Sequence, residues 1–161
     1  MTASKTDAER GLAATIRPVT MADIEALYAL DQACFPPGIA YSRGELRRFL
    51  GIATAQGVLA HRDGTLAGFA VGYLTRGHTA HVVTLDVGPG ERRRGLGKAL
   101  LETLLERLAR AGAIEARLEV STENTGAIAF YEKLGFRVRR PLPDYYGPGR
   151  GGLEMERDLS G

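Results

Sequence analysis

Cysteine is almost missing from this chain. Cys34 is the only one in 161 residues, so no internal disulfide can close, which fits a reducing, cytoplasmic setting. With nothing marking it as a nucleophile, Cys34 reads as a small buried hydrophobe. No apolar run approaches the length of a membrane-spanning helix, and no membrane association is expected. A strong charge of either sign is lacking too. Lys and Arg number 21 against 19 Asp and Glu, and a net charge of +2 is too small for a nucleic-acid binder. His61, His78 and His81 have no cysteine or acid cluster at metal-ligand spacing, so no metal is expected. There are no repeats and no linker. Residues 1–11 are polar without an apolar centre and read as a flexible tail, not a signal peptide; residues 12–161 read as one domain. What remains is an ordinary globular composition, 44% hydrophobic and 25% charged, in a chain long enough for a sizeable core.

The most informative stretch is VGPGERRRGLGKALL, from Val87 to Leu101. It ends an apolar strand, turns through Pro89 and Gly90, and becomes helical after Arg94, Gly95, Leu96 and Gly97. The first backbone N–H groups of such a helix lack partners and sit at the positive end of its dipole, here beside Arg92, Arg93 and Arg94. An anion fits there, a phosphate above all. Gly95 and Gly97 carry no Cβ, so a pyrophosphate can approach the main chain and the loop can take positive φ. Two glycine-loop patterns are excluded. A Walker loop needs Ser or Thr after the Lys, but Lys98 is followed by Ala99; a dinucleotide fingerprint needs a third glycine that is missing. A solvated turn is the competing reading of these residues taken alone.

The pattern on either side predicts a series of short elements. Residues 12–19 read as a strand. Thr20 caps a helix with Ile24, Leu27, Leu30 and Cys34 on one face, broken by Phe35-Pro36-Pro37-Gly38. Ser42 and Glu45 form a capping box for a shorter helix through Leu46, Phe49 and Leu50. Residues 56–61 and 66–74 form a hairpin around Asp63-Gly64, followed by a strand over 81–87. The helix over 97–111 carries Leu100, Leu101, Leu104, Leu105 and Leu108 on one stripe and stops at Gly112. A strand over 116–120, parallel to the one before the helix, a helix over 124–134 stopped by Gly135, and strands over 136–139 and 153–159 complete the chain.

The loop Arg92-x-x-Gly95-x-Gly97 resembles the acetyl-coenzyme A pyrophosphate loop of the GNAT superfamily of acetyltransferases. The order β-α-α-β-β-β-α-β-α-β-β extends that likeness over nearly the whole chain. The resemblance implies an α/β (α+β) fold: one mixed, mostly antiparallel sheet of about seven strands, helices on both faces, and a central parallel pair splayed to hold acetyl-CoA. It also implies that Arg92, Arg93, Arg94, Gly95, Leu96, Gly97 and Lys98 hold the pyrophosphate, with the pantetheine along Leu85, Asp86 and Val87. Further on, Leu118-Glu119-Val120, Asn124, Ala127-Ile128-Ala129-Phe130-Tyr131 and Leu134-Gly135-Phe136 are similar to a run in protein N-terminal acetyltransferases, most of all those acting on ribosomal-protein alanine termini. By that likeness Glu119 is the general base, Tyr131 the general acid and Asn124 a coenzyme contact. Phe35, Pro36 and Tyr41 upstream, and Tyr145 and Tyr146 downstream, look like the peptide-binding loops. Two departures lie where substrate is chosen: Gly38-Ile39-Ala40 looks inserted, and Gly149-Arg150-Gly151-Gly152 stands where an acidic residue is common.

Elementary chemistry suits these residue types. An amine attacks a thioester only when neutral; an α-amine with pKa about 8 is roughly 10% neutral at pH 7, a lysine only about 0.04%. A carboxylate can take the amine proton, and a tyrosine hydroxyl can protonate the leaving thiolate. Backbone N–H groups near Val87 can polarise the thioester carbonyl. Plainer readings stand beside these. Glu119 alternates with Leu118 and Val120 as the polar face of a strand would, Tyr131 and Phe130 form an aromatic pair of the kind found in cores, and Tyr145 and Tyr146 read as surface residues. The alternatives in function are a small-molecule amine, polyamine or lysine acetyltransferase, and a non-catalytic acyl-coenzyme A sensor. The expected partners are acetyl-CoA and a protein N-terminus or peptide, with the chain a monomer or weak homodimer.

Overall fold

Seven strands form one sheet in the order β1-β2-β3-β4-β5-β7-β6 in the computed structural model, which describes residues 14–92 and 94–161. They are β1 Thr15–Pro18, β2 Gln56–Arg62, β3 Thr65–Thr75, β4 Thr79–Val87, β5 Glu115–Ser121, β6 Arg137–Leu142 and β7 Gly152–Asp158. The helices are α1 Ile24–Cys34, α2 Arg43–Leu50, α3 Leu96–Arg110 and α4 Thr125–Lys133. Neighbouring strands run antiparallel except for β4 and β5. The element order is therefore the expected one, with one parallel pair at the centre. The expected tail over residues 1–11, and the first residues of the expected first strand, lie outside the described residues.

Local chemistry accounts for most of the boundaries. The Ser42 hydroxyl accepts from the Glu45 N–H and the Glu45 carboxylate from the Ser42 N–H, both at 3.1 Å, so the predicted capping box opens α2. At the start of α1 a 3-10 turn, Met21–Asp23, precedes the helix. Asp23 accepts there from the Thr20 N–H, and hydrogen bonds from Arg17 at 2.8 and 3.0 Å help pull its carboxyl down to about 2. Asp63 and Gly64 both take positive φ, 53° and 77°, as a tight hairpin between β2 and β3 requires. Strand β4 starts at Thr79, two residues before the expected His81, because Gly77 and His78 turn the chain at φ 79° and 66° and Thr75 pairs with Thr79. Strand β6 runs on to Leu142, beyond the expected Arg139, because it pairs with β7 as far as Gly152.

Two apolar layers flank the sheet. Leu96, Leu100, Leu101, Leu104, Leu105 and Leu108 of α3 are buried against Val58, Ala60, Ala70, Val82 and Leu118, and α4 joins the same layer through Ile128 and Phe130. Each buried leucine contributes roughly 1.5–3 kcal/mol. Helix α3 comes close to the sheet at Gly72, where a Cβ would lie 2.8 Å from the His81 carbonyl and 3.1 Å from Leu108. On the other face, Ile24 and Leu27 of α1 and Leu46 of α2 cover Leu59, Phe69 and Val71.

Candidate active site

The parallel pair is short. Thr79, Ala80 and His81 pair with Glu115, Ala116 and Arg117, and there the pairing stops. Directly beyond it, Val71 pairs with Thr84 and Gly72 with Val82, which leaves Val83 as an extra residue in β4. Such a bulge bends its strand. Strand β4 thereafter follows β3 while β5 follows β7, and a cleft of about 860 Å³ opens between them. Beyond the bulge the side chains alternate. Leu85 and Val87 line the cleft, whereas the Asp86 carboxyl, expected beside the coenzyme, is 1% exposed and turned against α1.

One end of the cleft is the N-terminus of α3. The first helical bond runs from Ala99 N–H to the Gly95 carbonyl at 3.1 Å, so the N–H groups of Leu96, Gly97 and Lys98 have no helical partner, and no side chain caps them. Gly95 sits at φ 83°, a conformation that suits glycine, and a Cβ on Gly97 would touch Phe130 and Val87 at 3.4 Å. The Leu96 side chain is buried in the core and so points away from the cleft, which fixes the direction of the helix end. Arg92 and Lys98 line this end. Arg94 is exposed, 3.7 Å from Glu91, which Arg62 also holds at 2.9 Å. Arg93 lies outside the described residues. Asn124 lines the cleft as the N-cap of α4, its side-chain oxygen accepting from Ala127 N–H at 3.1 Å. Bare N–H groups, two glycines and flanking cations fit the phosphates of a coenzyme.

Glu119 and Tyr131 both reach the same cleft. Glu119 accepts from the Tyr145 hydroxyl at 3.0 Å and meets His81 Nε2 at 2.8 and 3.1 Å. The Tyr131 ring is packed edge-on between Phe130 and Phe136 at 5.3 and 5.7 Å. Its hydroxyl has no hydrogen bond to a described residue, and burial, with the negative charge of Asp86 behind it, holds it well above the ordinary phenol range. The hydroxyl therefore keeps its proton. Behind Glu119, His81 in turn meets the Tyr73 hydroxyl at 3.1 Å, a chain of contacts that sequence reasoning does not give. The signal in the sequence is the place of His81 on a strand parallel to the one bearing Glu119.

Phe35, Pro36, Tyr41, Tyr145 and Tyr146 line the opposite half, so the two expected loops do meet. Their hydroxyls are not equally free. Tyr41 donates to the Val83 carbonyl at the bulge, 3.2 Å away, and Tyr145 donates to Glu119. Only Tyr146 among the three has a hydroxyl with no partner among the described residues, and burial pushes it up to about 12. The two sequence departures touch each other: Arg150 donates to the Pro37 carbonyl at 3.3 Å and packs over Gly38, which takes φ 90°. Beneath this half, Cys34 donates to the Val87 carbonyl at 3.4 Å, and burial raises its thiol to about 11, so it is no nucleophile. Nearby, Asp31 and Asp86 form a buried carboxyl pair. Burial, then the hydrogen bond and charge of Asp31, raises Asp86 well above the carboxylate range, and Asp31 holds the Tyr41 N–H at 2.6 Å.

Strands parted at a bulge over an uncapped helix N-terminus, with a carboxylate and a buried tyrosine hydroxyl farther along the same cleft, suit an enzyme that transfers a group from a phosphate-bearing co-substrate. The chain belongs to the acetyltransferase (GNAT) family, which it matches over residues 24–136, and it is an N-acetyltransferase that uses acetyl-CoA as co-substrate. It is 34% identical over 137 residues to the [ribosomal protein bS18]-alanine N-acetyltransferase of Escherichia coli, spanning 82% of this chain and 86% of that one. It is also 34% identical over 149 residues to the N-alpha-acetyltransferase RimI of Mycobacterium tuberculosis, spanning 89% and 92%. The crystal structure of the ribosomal-protein-S18-alanine N-acetyltransferase from Escherichia coli superposes with a TM-score of 0.79 at 28% identity, covering 92% of this chain and 95% of that one. Among the described residues no group of three His, Cys, Asp or Glu could hold a metal ion, and no helix is long and apolar enough to cross a membrane.

Proposed function

We propose that the acceptor is the α-amine of a protein N-terminus with a small, uncharged first residue, alanine above all, on a ribosomal protein. The observation that carries this reading is the composition of the half-cleft facing Glu119. Tyr41, Tyr145, Tyr146, Phe35 and Pro36 line the cleft with Glu119, while the other two carboxylates of its wall, Glu91 and Glu123, adjoin Arg92 and Asn124 in the chain. A polyamine site would gather several acids; an aromatic chamber with one acid suits one amine on an extended peptide. The names of the relatives in Escherichia coli and Mycobacterium tuberculosis support the same choice.

In this reading the N–H groups at the start of α3, with Arg92, Arg93, Arg94 and Lys98, hold the pyrophosphate, and Leu85 and Val87 guide the pantetheine. Acetyl-CoA supplies the activated acyl group. Glu119 accepts a proton from the attacking amine, directly or through a water, and Tyr131 donates one to the departing sulfur. Holding both substrates in line supplies most of the acceleration. Apolar rings discriminate a first side chain by only ~1–3 kcal/mol per methylene, so selectivity is graded. Arg150, which bonds the Pro37 carbonyl beside the substrate loop, favours an acidic second or third residue.

The test compares peptides beginning with Ala, Ser, Met or Gly, each with an internal lysine and with its α-amine free or blocked, alongside spermidine. Acetylation of the free-amine peptides, alanine foremost, is expected. Equal acetylation of blocked and free peptides, or faster turnover of spermidine, refutes the proposal.

A further inference from the structure

The reading above gives Glu119 a task and leaves its nearest partner, His81, without one. His81 is the last residue of β4 paired with β5 before the strands part, and its ring stands edge-on to Tyr73 at 5.2 Å. Nε2 lies 2.8 Å from Glu119 Oε1 and 3.1 Å from Oε2, while Nδ1 lies 3.1 Å from the Tyr73 hydroxyl. An ionised carboxylate only accepts, so Nε2 carries a proton and donates it to Glu119. On the neutral ring Nδ1 is then an acceptor, and the Tyr73 hydroxyl donates to it. Tyr73 thus selects the tautomer that His81 needs in order to hold Glu119.

The arrangement also decides which oxygen is available. A carboxylate offers about four acceptor sites, two on each oxygen. His81 and Tyr145 both approach Oε1, and His81 reaches Oε2 only at its longer distance. Oε2 keeps the open acceptor site. We infer that His81, held in one tautomer by Tyr73, is a positioning residue for acetyl transfer: it fixes the Glu119 carboxylate from behind so that Oε2 receives the proton of the attacking amine. The inference rests on Glu119 being the base. Titratable groups facing His81 are Tyr73 from β3 and Glu119 from β5, with Tyr145 bonded to the far side of Glu119.

The experiment measures kcat and KM against pH for the intact protein with acetyl-CoA and a free-amine alanine peptide. The variants are His81→Ala, His81→Gln, Tyr73→Phe, Glu119→Gln and the double variant His81→Ala/Glu119→Gln. His81→Ala is expected to lower kcat by about 10- to 100-fold, as small misplacements of a reacting group do, with both KM values within about twofold. His81→Gln, which keeps an N–H donor for the carboxylate, recovers most of that loss. Tyr73→Phe lowers kcat less than His81→Ala does. Because His81 acts through Glu119, the double variant is no slower than Glu119→Gln. Wild-type turnover by Glu119→Gln overturns the assignment of the base and this inference with it. A slow Glu119→Gln beside a fully active His81→Ala, or an equal loss from His81→Ala in both backgrounds, overturns this inference alone.

Discussion

Tyr131 separates the chemistry of the cleft from its architecture more cleanly than any other residue. Its ring serves the core through Phe130 and Phe136, and its hydroxyl serves nothing else in the described chain. Substitution by Phe therefore removes one oxygen and leaves both aromatic contacts in place. Burial raises the phenol, so it is protonated throughout the neutral range and is available as an acid. Tyr131→Phe is expected to lower kcat by ~10²–10⁴-fold, the usual contribution of a general acid, with coenzyme affinity and melting temperature nearly unchanged. Stopped assays and calorimetry on one preparation check both halves. A loss below about tenfold points to another donor, and Tyr146 is the next cleft tyrosine with an unbonded hydroxyl.

Strand β4, its loop and α3 act as one device. The strand supplies the apolar wall, the loop the positive φ at Gly95, and α3 the bare N–H groups, while the six buried leucines of α3 hold the helix end in place. Gly97→Val puts a branched side chain where a lone Cβ already touches Phe130 and Val87 at 3.4 Å. Its γ-carbons have to enter the cleft. Titration calorimetry is expected to show acetyl-CoA affinity reduced at least about tenfold, or ~1.4 kcal/mol, in a protein that still folds. Unchanged affinity removes the pyrophosphate from this site. Most of this device was legible in the sequence because its signals are local: a glycine at a turn and a leucine every third or fourth residue. The bulge at Val83 was not, since it exists only in the register of β4 against β3. The His81 contact with Glu119 was hidden for the same reason, and so was the loss of the Tyr41 and Tyr145 hydroxyls to partners inside the protein.

Asp31 and Asp86 join the helical layer on one face to the strand that walls the cleft, and through the Tyr41 N–H they also fix the substrate loop. Asp31 Oδ1 and Asp86 Oδ2 have no other partner, so a proton between the carboxyls satisfies both. That proton makes the stability of the whole molecule depend on pH, with a sign opposite to that of a salt-bridged acid. An unfolded Asp releases its proton near about 3.9, whereas folded Asp86 keeps it to a much higher pH. Between those limits the native state binds more protons than the unfolded one, and stability falls as pH rises. The contribution is complete below the unfolded value and lost once the pH passes the folded one. Asp23 behaves the other way. Drawn down to about 2 by Arg17, it adds stability above the ordinary carboxylate range and loses it as the pH falls towards 2. Asp86→Asn isolates the first effect, because the amide is isosteric, still accepts from Thr84 and offers Asp31 an N–H that does not titrate. In urea unfolding at a series of pH values from mildly acidic to mildly alkaline, the variant is expected to gain on the wild type steadily as pH rises. A stability difference that stays constant across the series shows that no proton is held between the two carboxyls.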